Sequence, residues 1–168
     1  MTNRRRRRDR SGHAHMKAME AGAGTPPSGV RPGVGAVVLD QSRRVLLHRR
    51  RATGGWAPPS GTVEPGESLS RALHRELLEE TSLRIRIRQV VGVYSEPDEQ
   101  LVRYSDGRVI HFVTTVFLCD PVDGVLRGSS EGVEWAWYRP EELPVGLLPY
   151  GRRWLRDALN ADAPFILR

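Results

Sequence analysis

Residues 61–83 read GTVEPGESLSRALHRELLEETSL, a loop containing Gly and Pro that leads directly into an apolar repeat. The repeat places a leucine at every fourth position, which is the spacing of one face of an α-helix: Leu69, Leu73 and Leu77. Ser68 is suited to cap the N-terminus of this helix, and Ser82 falls where the helix should end. The stretch therefore predicts a loop followed by one amphipathic helix.

Three glutamates of the predicted helix are spaced so that they repel one another. Glu76, Glu79 and Glu80 are related by three- and four-residue steps, so their carboxylates share one surface of the helix. Like charges at these spacings destabilise a helix by roughly 0.2–0.5 kcal/mol per pair. Mg²⁺ or Mn²⁺, which prefer hard oxygen ligands, would offset the repulsion. The alternative interpretation is an acidic helix surface that is simply solvated.

The residues around these glutamates are suited to support such a site. Gly61 and Gly66 let the loop backbone turn tightly and approach a ligand closely. Glu67 opens the helix, where its negative charge suits the helix dipole. Arg75 directly precedes Glu76 and is placed to hold a carboxylate through a charge-assisted hydrogen bond.

The rest of the chain alternates between strand patterns and turn signals. Residues rich in Val, Ile, Phe, Leu and Thr predict strands over 33–40, 44–50, 84–96, 109–120 and 131–140. Residues 140–143, PEEL, predict a short helical turn, and residues 149–160 predict a closing amphipathic helix. Strands separated by one central and one terminal helix indicate an α/β (α+β) fold, with a mixed β-sheet flanked by helices.

The net charge of +6 is concentrated at one end of the 168-residue chain. Residues 1–31 hold eight basic residues against two acidic ones, which accounts for the whole net charge and leaves the remainder neutral. This arginine-rich segment lacks the apolar residues that a core needs, which predicts a disordered tail over 1–31 and one folded domain over 32–168. Only this tail, through its five consecutive arginines, is suited to contact nucleic acid.

Composition also bears on the compartment in which the protein works. No apolar run approaches the ~18 residues that span a bilayer, so the sequence predicts no membrane partner. The N-terminus lacks the apolar segment of a secretory signal. Cys119 is the single cysteine and excludes an internal disulfide, which fits a reducing compartment. Together these features predict a cytoplasmic protein.

The loop and helix resemble the signature of the Nudix hydrolases. That signature is Gly, five residues, Glu, seven residues, Arg-Glu, an aliphatic residue, one residue, Glu-Glu, one residue, Gly and an aliphatic residue. Eight of its nine defined positions match: Gly61, Glu67, Arg75, Glu76, Leu77, Glu79, Glu80 and Leu83. Ser82 replaces the last glycine, and Ser60 stands where many members have glycine before Gly61. A left-handed backbone at Ser82 would cost about 1 kcal/mol.

The resemblance implies the family's α/β/α sandwich over about residues 33–160, and it implies an enzyme. The substrate would be a nucleoside diphosphate linked to a further group, the reaction would be attack of water at phosphorus, and the cofactor would be Mg²⁺ with Mn²⁺ as a substitute. Nudix members are often dimers, so a homodimer is implied as well.

The resemblance also implies roles for the matched residues. Glu76, Glu79 and Glu80 would bind metal together with the backbone carbonyl of Gly61, and Glu80 would also act as a base. Glu67 and Arg75 would orient these ligands. Members often place a further glutamate before the last strand, as base or extra ligand. Glu131 fits this position best and Glu134 second, and the alternative is a solvated loop acid.

Other residues carry two interpretations. Residues 49–51 are three consecutive arginines. They either hold substrate phosphates or form a strand end that is simply solvated. Trp56 is suited to packing at a sheet edge or to stacking on a base. His48 and His111 lie in apolar strands, where histidine is expected to be structural and hydrogen-bonded.

The substrate and the function class stay open at the level of sequence. ADP-ribose, nucleotide sugars and (d)NTPs all fit the signature, and the YSEPD stretch at 94–98 is similar to ADP-ribose pyrophosphatase-like members. Two alternatives are not enzymatic. One is a Nudix-fold regulatory protein that senses a nucleotide, and the other is a nucleic-acid-associated protein that acts through its arginine-rich tail.

Overall fold

The computed structural model describes residues 16–17, 26–104, 106–130, 132–160 and 165–168. Within these ranges it contains ten strands and three helices. In chain order they are β1 Met16–Lys17, β2 Gly29–Val38, β3 Val45–Arg50, β4 Trp56–Ala57, β5 Ser60–Thr62, α1 Leu69–Thr81, β6 Arg84–Tyr94, α2 Pro97–Gln100, β7 Leu101–Tyr104, β8 Val109–Asp123, β9 Gly132–Tyr138, α3 Pro149–Leu159 and β10 Ile166–Leu167.

The strands form two sheets. The larger sheet has seven strands in the order β1-β7-β8-β2-β5, and β6 joins it between β8 and β10. The smaller sheet has the order β4-β3-β9. The pairs β2–β8 and β6–β10 are parallel, and the other pairs are antiparallel. The predicted mixed sheet is therefore confirmed, with its strands divided between two sheets.

The division into two sheets occurs at the first predicted turn. The side chain of Asp40 accepts hydrogen bonds from the backbone N–H groups of Ser42 at 2.9 Å and Arg44 at 2.8 Å. A single bridge between Leu39 and Val45 joins the two arms of the turn, and β3 then pairs within the smaller sheet. Consecutive strands that look like a hairpin in sequence thus belong to different sheets.

From Gly33 onward, strand β2 is buried on both faces and separates two apolar cores. Val34, Ala36 and Val38 share one core with three residues of α1, namely Ala72, Leu73 and Leu77. Val37 lies in the other core with Trp154 of α3. A Cβ atom at Gly35 would lie 2.7 Å from the indole ring of Trp154, so glycine here allows α3 to pack closely. This arrangement of helix, sheet and helix confirms the predicted α/β/α sandwich.

Helix α1 begins and ends where the sequence predicts. The hydroxyl of Ser68 accepts a hydrogen bond from the backbone N–H of Arg71 at 3.3 Å, as an N-cap does. Ser82 adopts the left-handed conformation with φ of 61°, and its N–H donates to the carbonyl of Leu78. The serine therefore takes the backbone conformation that glycine provides without cost. Of the three leucines in the repeat, Leu73 and Leu77 are fully buried, whereas Leu69 in the first turn is 39% exposed.

The PEEL segment differs from its prediction. Residues 140 and 141 form a turn closed by a hydrogen bond from the N–H of Glu142 to the carbonyl of Arg139, at 2.9 Å, and no helix follows. Pro144 disfavours the helical conformation for the residue before it, so the turn cannot continue. Helix α3 is present as predicted over Pro149–Leu159.

The predicted tail lies mostly outside the described residues, which exclude 1–15 and 18–25. Its disorder stays a prediction. Within it, β1 pairs with β7, and β2 already begins at Gly29, three residues before the predicted domain boundary. Across the described ranges, every helix is too short or too polar to cross a membrane. The cytoplasmic location and the homodimer stay predictions.

Candidate active site

Arg75 connects the loop before α1 to the glutamates on the helix. Its guanidinium donates two hydrogen bonds to Glu67, from Nε to Oε1 at 3.0 Å and from Nη2 to Oε2 at 2.8 Å. It also donates to Glu76 Oε1 at 2.9 Å and to the carbonyl of Thr62 at 3.0 Å, and Glu79 lies 3.6 Å away. Arg75 therefore contacts three glutamates of the signature, and its role in orienting metal ligands stays a prediction.

Glu67 is held by its own loop as well as by Arg75. Its Oε2 accepts a hydrogen bond from the backbone N–H of Glu64 at 3.1 Å, and its N–H donates to the carbonyl of Glu64 at 3.0 Å. Gly66, with φ of 83°, supplies the left-handed residue of this tight turn. The hydrogen bonds from Arg75 hold the pKa of the Glu67 carboxyl below its usual range, so Glu67 is ionised at neutral pH.

Gly61 and Glu76 are in close contact across β5 and α1. A Cβ atom on Gly61 would lie 2.0 Å from the Cδ atom of Glu76, which leaves no room for any side chain at this position. The neighbouring N–H of Thr62 donates to Glu76 Oε1 at 3.1 Å. Burial raises the pKa of Glu76, and the hydrogen bond from Arg75 opposes that rise. The close approach of the Gly61 backbone positions the Glu76 carboxylate, and the predicted contact of Gly61 with a metal stays a prediction.

The other two glutamates of the helix lie in contrasting environments. Glu79 presents a side chain that is 64% exposed, whereas Glu80 is only 3% exposed. No three His, Cys, Asp or Glu side chains in the described ranges are close enough together to hold one metal ion. The convergence of Glu76, Glu79 and Glu80 on a shared ion thus stays a prediction.

The additional glutamate before β9 is not placed, because Glu131 lies outside the described residues. Its catalytic role stays a prediction. Glu134, the second choice, is exposed on β9 and pairs in register with Arg49 of β3. Gly132 packs against the indole of Trp135, since a Cβ atom there would lie 2.4 Å from the indole Nε1. Gly128, in the loop before β9, packs against the same indole, where a Cβ atom would lie 2.0 Å from Trp135 Cδ1, so contacts hold the chain on both sides of the unplaced glutamate.

The three consecutive arginines diverge at the end of β3. Arg49 donates from Nε to the carbonyl of Gly54 at 3.1 Å, and Arg51 donates from Nε to the carbonyl of Ser130 at 2.9 Å. Arg50 reaches residues of the larger sheet and of α3. Sequence reasoning had no signal for the partners of Arg50 and Arg51, because those contacts depend on how distant segments are arranged in the fold.

His48 departs from the expectation of a hydrogen-bonded structural histidine. It is buried, and neither of its ring nitrogens has a hydrogen-bond partner among the described residues. Its ring instead stacks on the indole of Trp135, with centroids 4.3 Å apart. Burial lowers the pKa of His48 to about 3, so the ring is neutral at pH 7. His111 meets the expectation, because its Nε2 lies 2.6 Å from the carbonyl oxygen of Ser95.

Trp56 is a core residue and not an exposed platform for a base. It is buried, and its ring meets Tyr138 edge-on with centroids 5.2 Å apart. The packing interpretation of Trp56 is therefore the one that the structure supports.

Comparison with known proteins agrees with this geometry. Residues 29–160 match the NUDIX domain model. A MutT-like protein of Streptomyces ambofaciens is 31% identical over 133 residues, which span 79% of this chain and 79% of that protein. The ADP-ribose pyrophosphatase of Methanocaldococcus jannaschii is 32% identical over 110 residues, which span 64% of this chain and 61% of that protein.

A solved structure agrees as well. The crystal structure of a MutT NUDIX hydrolase from Burkholderia pseudomallei superposes with a TM-score of 0.65 and 26% identity, covering 76% of this chain and 97% of that one. The chain therefore belongs to the Nudix family, and it is a hydrolase that acts on phosphorus-containing acid anhydrides.

Proposed function

We propose that the protein is a Mg²⁺-dependent pyrophosphohydrolase that cleaves a nucleoside diphosphate linked to a further group, by attack of water at phosphorus. The observation that carries this proposal is the contact between Gly61 and Glu76, in which a glycine of β5 leaves space that the helix carboxylate fills. Arg75 donates a hydrogen bond to the same carboxylate at 2.9 Å. A solvated acidic helix surface would need neither feature.

The chemistry of the candidate donors fits a hard divalent cation. The donors are the carboxylates of Glu76, Glu79 and Glu80 and the backbone carbonyl of Gly61, all of them oxygen ligands of the kind that Mg²⁺ prefers. When bound, Mg²⁺ would neutralise charge on the phosphoryl oxygens and lower the pKa of a bound water. This donor set also suits Mn²⁺, which accepts the same ligands.

The chain's own residues then divide into two groups. Glu80, or Glu131 from the loop before β9, would accept the proton of the attacking water, and Glu79 would complete the carboxylate set. Arg75 and Glu67 would act by orientation, because their two parallel hydrogen bonds fix the loop relative to α1. Orientation of this kind is worth about 10- to 100-fold in metal affinity or activity.

The proposed substrate class draws on the names of the relatives. One is described as MutT-like and another as an ADP-ribose pyrophosphatase. ADP-ribose, nucleotide sugars and (d)NTPs all contain the linkage that the proposed reaction cleaves. The match of eight signature positions supports an enzyme over a nucleotide sensor, because the sensor needs no intact carboxylate set.

A hydrolysis panel tests this function. The full chain is incubated with Mg²⁺, Mn²⁺ or a chelator and with ADP-ribose, NADH, nucleotide sugars, (d)NTPs and dinucleoside polyphosphates in ¹⁸O-labelled water. We expect cleavage of at least one diphosphate, abolished by the chelator, with one ¹⁸O atom in a phosphate product. Labelling of a sugar carbon, or equal activity with the chelator, would contradict the proposal.

A further inference from the structure

The loop between β8 and β9 is bound to the end of α1. The structure describes residues 124–130 of this loop. The backbone N–H of Arg127 donates to the carbonyl of Thr81, the last residue of α1, at 2.9 Å. The final four carbonyls of a helix have no partner within it, so the loop supplies a hydrogen bond that the helix cannot. Because Thr81 directly follows Glu80, this contact fixes the backbone beside a candidate metal ligand.

The first residues of the loop also lie against the helix end. Gly124 has φ of 101°, and a Cβ atom there would lie 2.3 Å from the carbonyl oxygen of Ser82. Leu126 packs against the apolar core that contains Leu73 and Leu77 of α1. The loop therefore contacts α1 through both backbone and side chains, and a displacement of the loop would disturb the helix end.

Further along, the chain packs against Trp135 of β9. A Cβ atom at Gly128 would lie 2.0 Å from the indole Cδ1, and one at Gly132 would lie 2.4 Å from Nε1. Both glycines thus contact the five-membered ring of one indole. The buried ring of His48 stacks on the same indole at an interplanar angle of 26°. The indole therefore contacts both the core residue of β3 and the loop.

The shape of this indole, more than its polarity, accounts for its contacts. Nε1 of Trp135 is buried, and within the described ranges it has no hydrogen-bond partner. Burial of an unpaired donor costs free energy that an aliphatic core side chain would not cost. Tryptophan is thus better explained here by the reach of its ring to the loop than by the burial of apolar area.

We propose that Trp135 is a positioning residue that orients the end of α1 beside Glu80, through the loop between β8 and β9. Gly128 directly follows Arg127, so a shift of the glycine away from the indole moves the N–H that donates to Thr81. The inference rests on the proposed function for the catalytic role of Glu80. The competing explanation is a purely structural contact, which would lower the melting temperature when disturbed and would leave α1 and the reaction unchanged.

Amide hydrogen exchange in Gly128→Ala tests this coupling without any need for activity. The added methyl group would overlap the indole, so the loop must move away from Trp135. We expect the N–H groups of Arg127 and of Ser82, which closes the last turn of α1, to lose protection by roughly three- to tenfold, as the loss of one hydrogen bond does. Unchanged protection at Ser82 in a folded Gly128→Ala would overturn the proposal.

Gly92→Ala is the matched control for this added methyl group. A Cβ atom at Gly92 would lie 2.3 Å from the carbonyl oxygen of Ile166, which is a comparable overlap. Gly92 lies towards the end of β6 that is far from α1. The variant should lower the melting temperature and leave exchange at Ser82 as in the wild type. Equal loss of protection at Ser82 in both variants would contradict a specific path through Trp135.

A double variant tests whether the indole is the group that Gly128 contacts. Trp135→Leu frees the space that the methyl group of Gly128→Ala needs. The double variant should therefore lose no more protection at Ser82 than Trp135→Leu does alone, and additive losses would overturn the proposal. If Trp135→Leu does not fold, the comparison of Gly128→Ala with Gly92→Ala decides alone.

Kinetics keep this inference distinct from the proposed function. With a substrate found in the hydrolysis panel, kcat should fall by about tenfold or more in Gly128→Ala while KM changes little, and Gly92→Ala should keep the wild-type kcat. If Gly128→Ala alters exchange at Ser82 and the wild type hydrolyses no nucleotide, the function fails and the positioning of α1 stands. If the wild type hydrolyses nucleotides and Gly128→Ala keeps its kcat, the positioning role fails and the function stands.

Discussion

The guanidinium of Arg75 donates two hydrogen bonds to the carboxylate of Glu67, at 3.0 and 2.8 Å, and a third to Glu76 at 2.9 Å. One arginine therefore fixes both the loop before α1 and a candidate metal ligand on it. The planar fork makes this geometry specific to arginine, since lysine offers a single point of charge.

Replacement of Arg75 should therefore impair activity even when the charge is kept. We expect Arg75→Lys to lower kcat/KM by roughly 10- to 100-fold, because the two-point contact with Glu67 is lost while the fold is retained. Steady-state kinetics and thermal unfolding measure the two effects. Arg71→Lys, at an exposed position of the same helix, is the matched control and should change neither.

Addition of one methyl group at Gly61 should disable the site. The new Cβ atom would lie 2.0 Å from Glu76 Cδ, so the carboxylate must move. We expect Gly61→Ala to reduce kcat by about 100-fold and to lower the free energy of unfolding by about 1–3 kcal/mol.

Gly29→Ala is the control for Gly61→Ala, since a Cβ atom at Gly29 has no neighbour within 4 Å. It should leave activity intact and change the free energy of unfolding by less than about 0.5 kcal/mol. Full activity in Gly61→Ala would show that the position of Glu76 does not matter.

Restoration of glycine at the end of α1 should stabilise the protein. Ser82 has φ of 61°, a conformation that costs a residue with a Cβ atom about 1 kcal/mol relative to glycine. We expect Ser82→Gly to raise the melting temperature by a few degrees and to leave kcat/KM unchanged, and calorimetry measures the shift. Ser82→Ala keeps the Cβ atom and should give no gain; a similar gain in both variants would contradict the backbone explanation.

His48 should make stability depend on pH. Its pKa is about 3 in the folded protein against 6.5 when unfolded, so below pH 6.5 the unfolded chain binds the extra proton. Stability is therefore retained above pH 6.5 and falls as the pH decreases from 6.5 towards 3, by up to about 1.4 kcal/mol per pH unit. In the variant His48→Phe, the new ring keeps the stacking on Trp135 and does not titrate.

Unfolding by urea at pH 7.5 and pH 5 tests this dependence. The difference in unfolding free energy between His48→Phe and the wild type should shift in favour of the variant by up to about 2 kcal/mol between these two pH values. An equal pH dependence in the wild type and in His48→Phe would contradict the low pKa.

The part of the fold that sequence predicts is the part built from local patterns. The leucine repeat and the two serines define α1 because helix spacing and caps involve residues only a few positions apart. The reach of Arg75 to Glu76 follows from the same local geometry. The sandwich was predicted through the family resemblance, which fixes how such a helix packs on its sheet.

The contacts that sequence did not predict are those between distant segments. Arg50 meets Tyr150 only because β2 and β3 enter different sheets, and no pattern within the turn signals that division. The stacking of His48 on Trp135 has the same origin, since Trp135 is brought across by the β3–β9 pairing. At PEEL, local composition favoured a helix, and the proline at 144 prevented it.

The central claim is that the carboxylates of α1 perform metal-dependent hydrolysis of a diphosphate, and the most direct measurement is kcat for Glu80→Gln. The substitution keeps the shape of the buried side chain and replaces its carboxyl group by an amide, which can neither accept the proton of a water nor bind a cation as a carboxylate does. Glu64→Gln, an exposed glutamate of the preceding loop, is the control. The account predicts that Glu80→Gln keeps the wild-type circular dichroism spectrum and loses at least about 100-fold in kcat, whereas Glu64→Gln retains full activity; near wild-type kcat in a folded Glu80→Gln would contradict it.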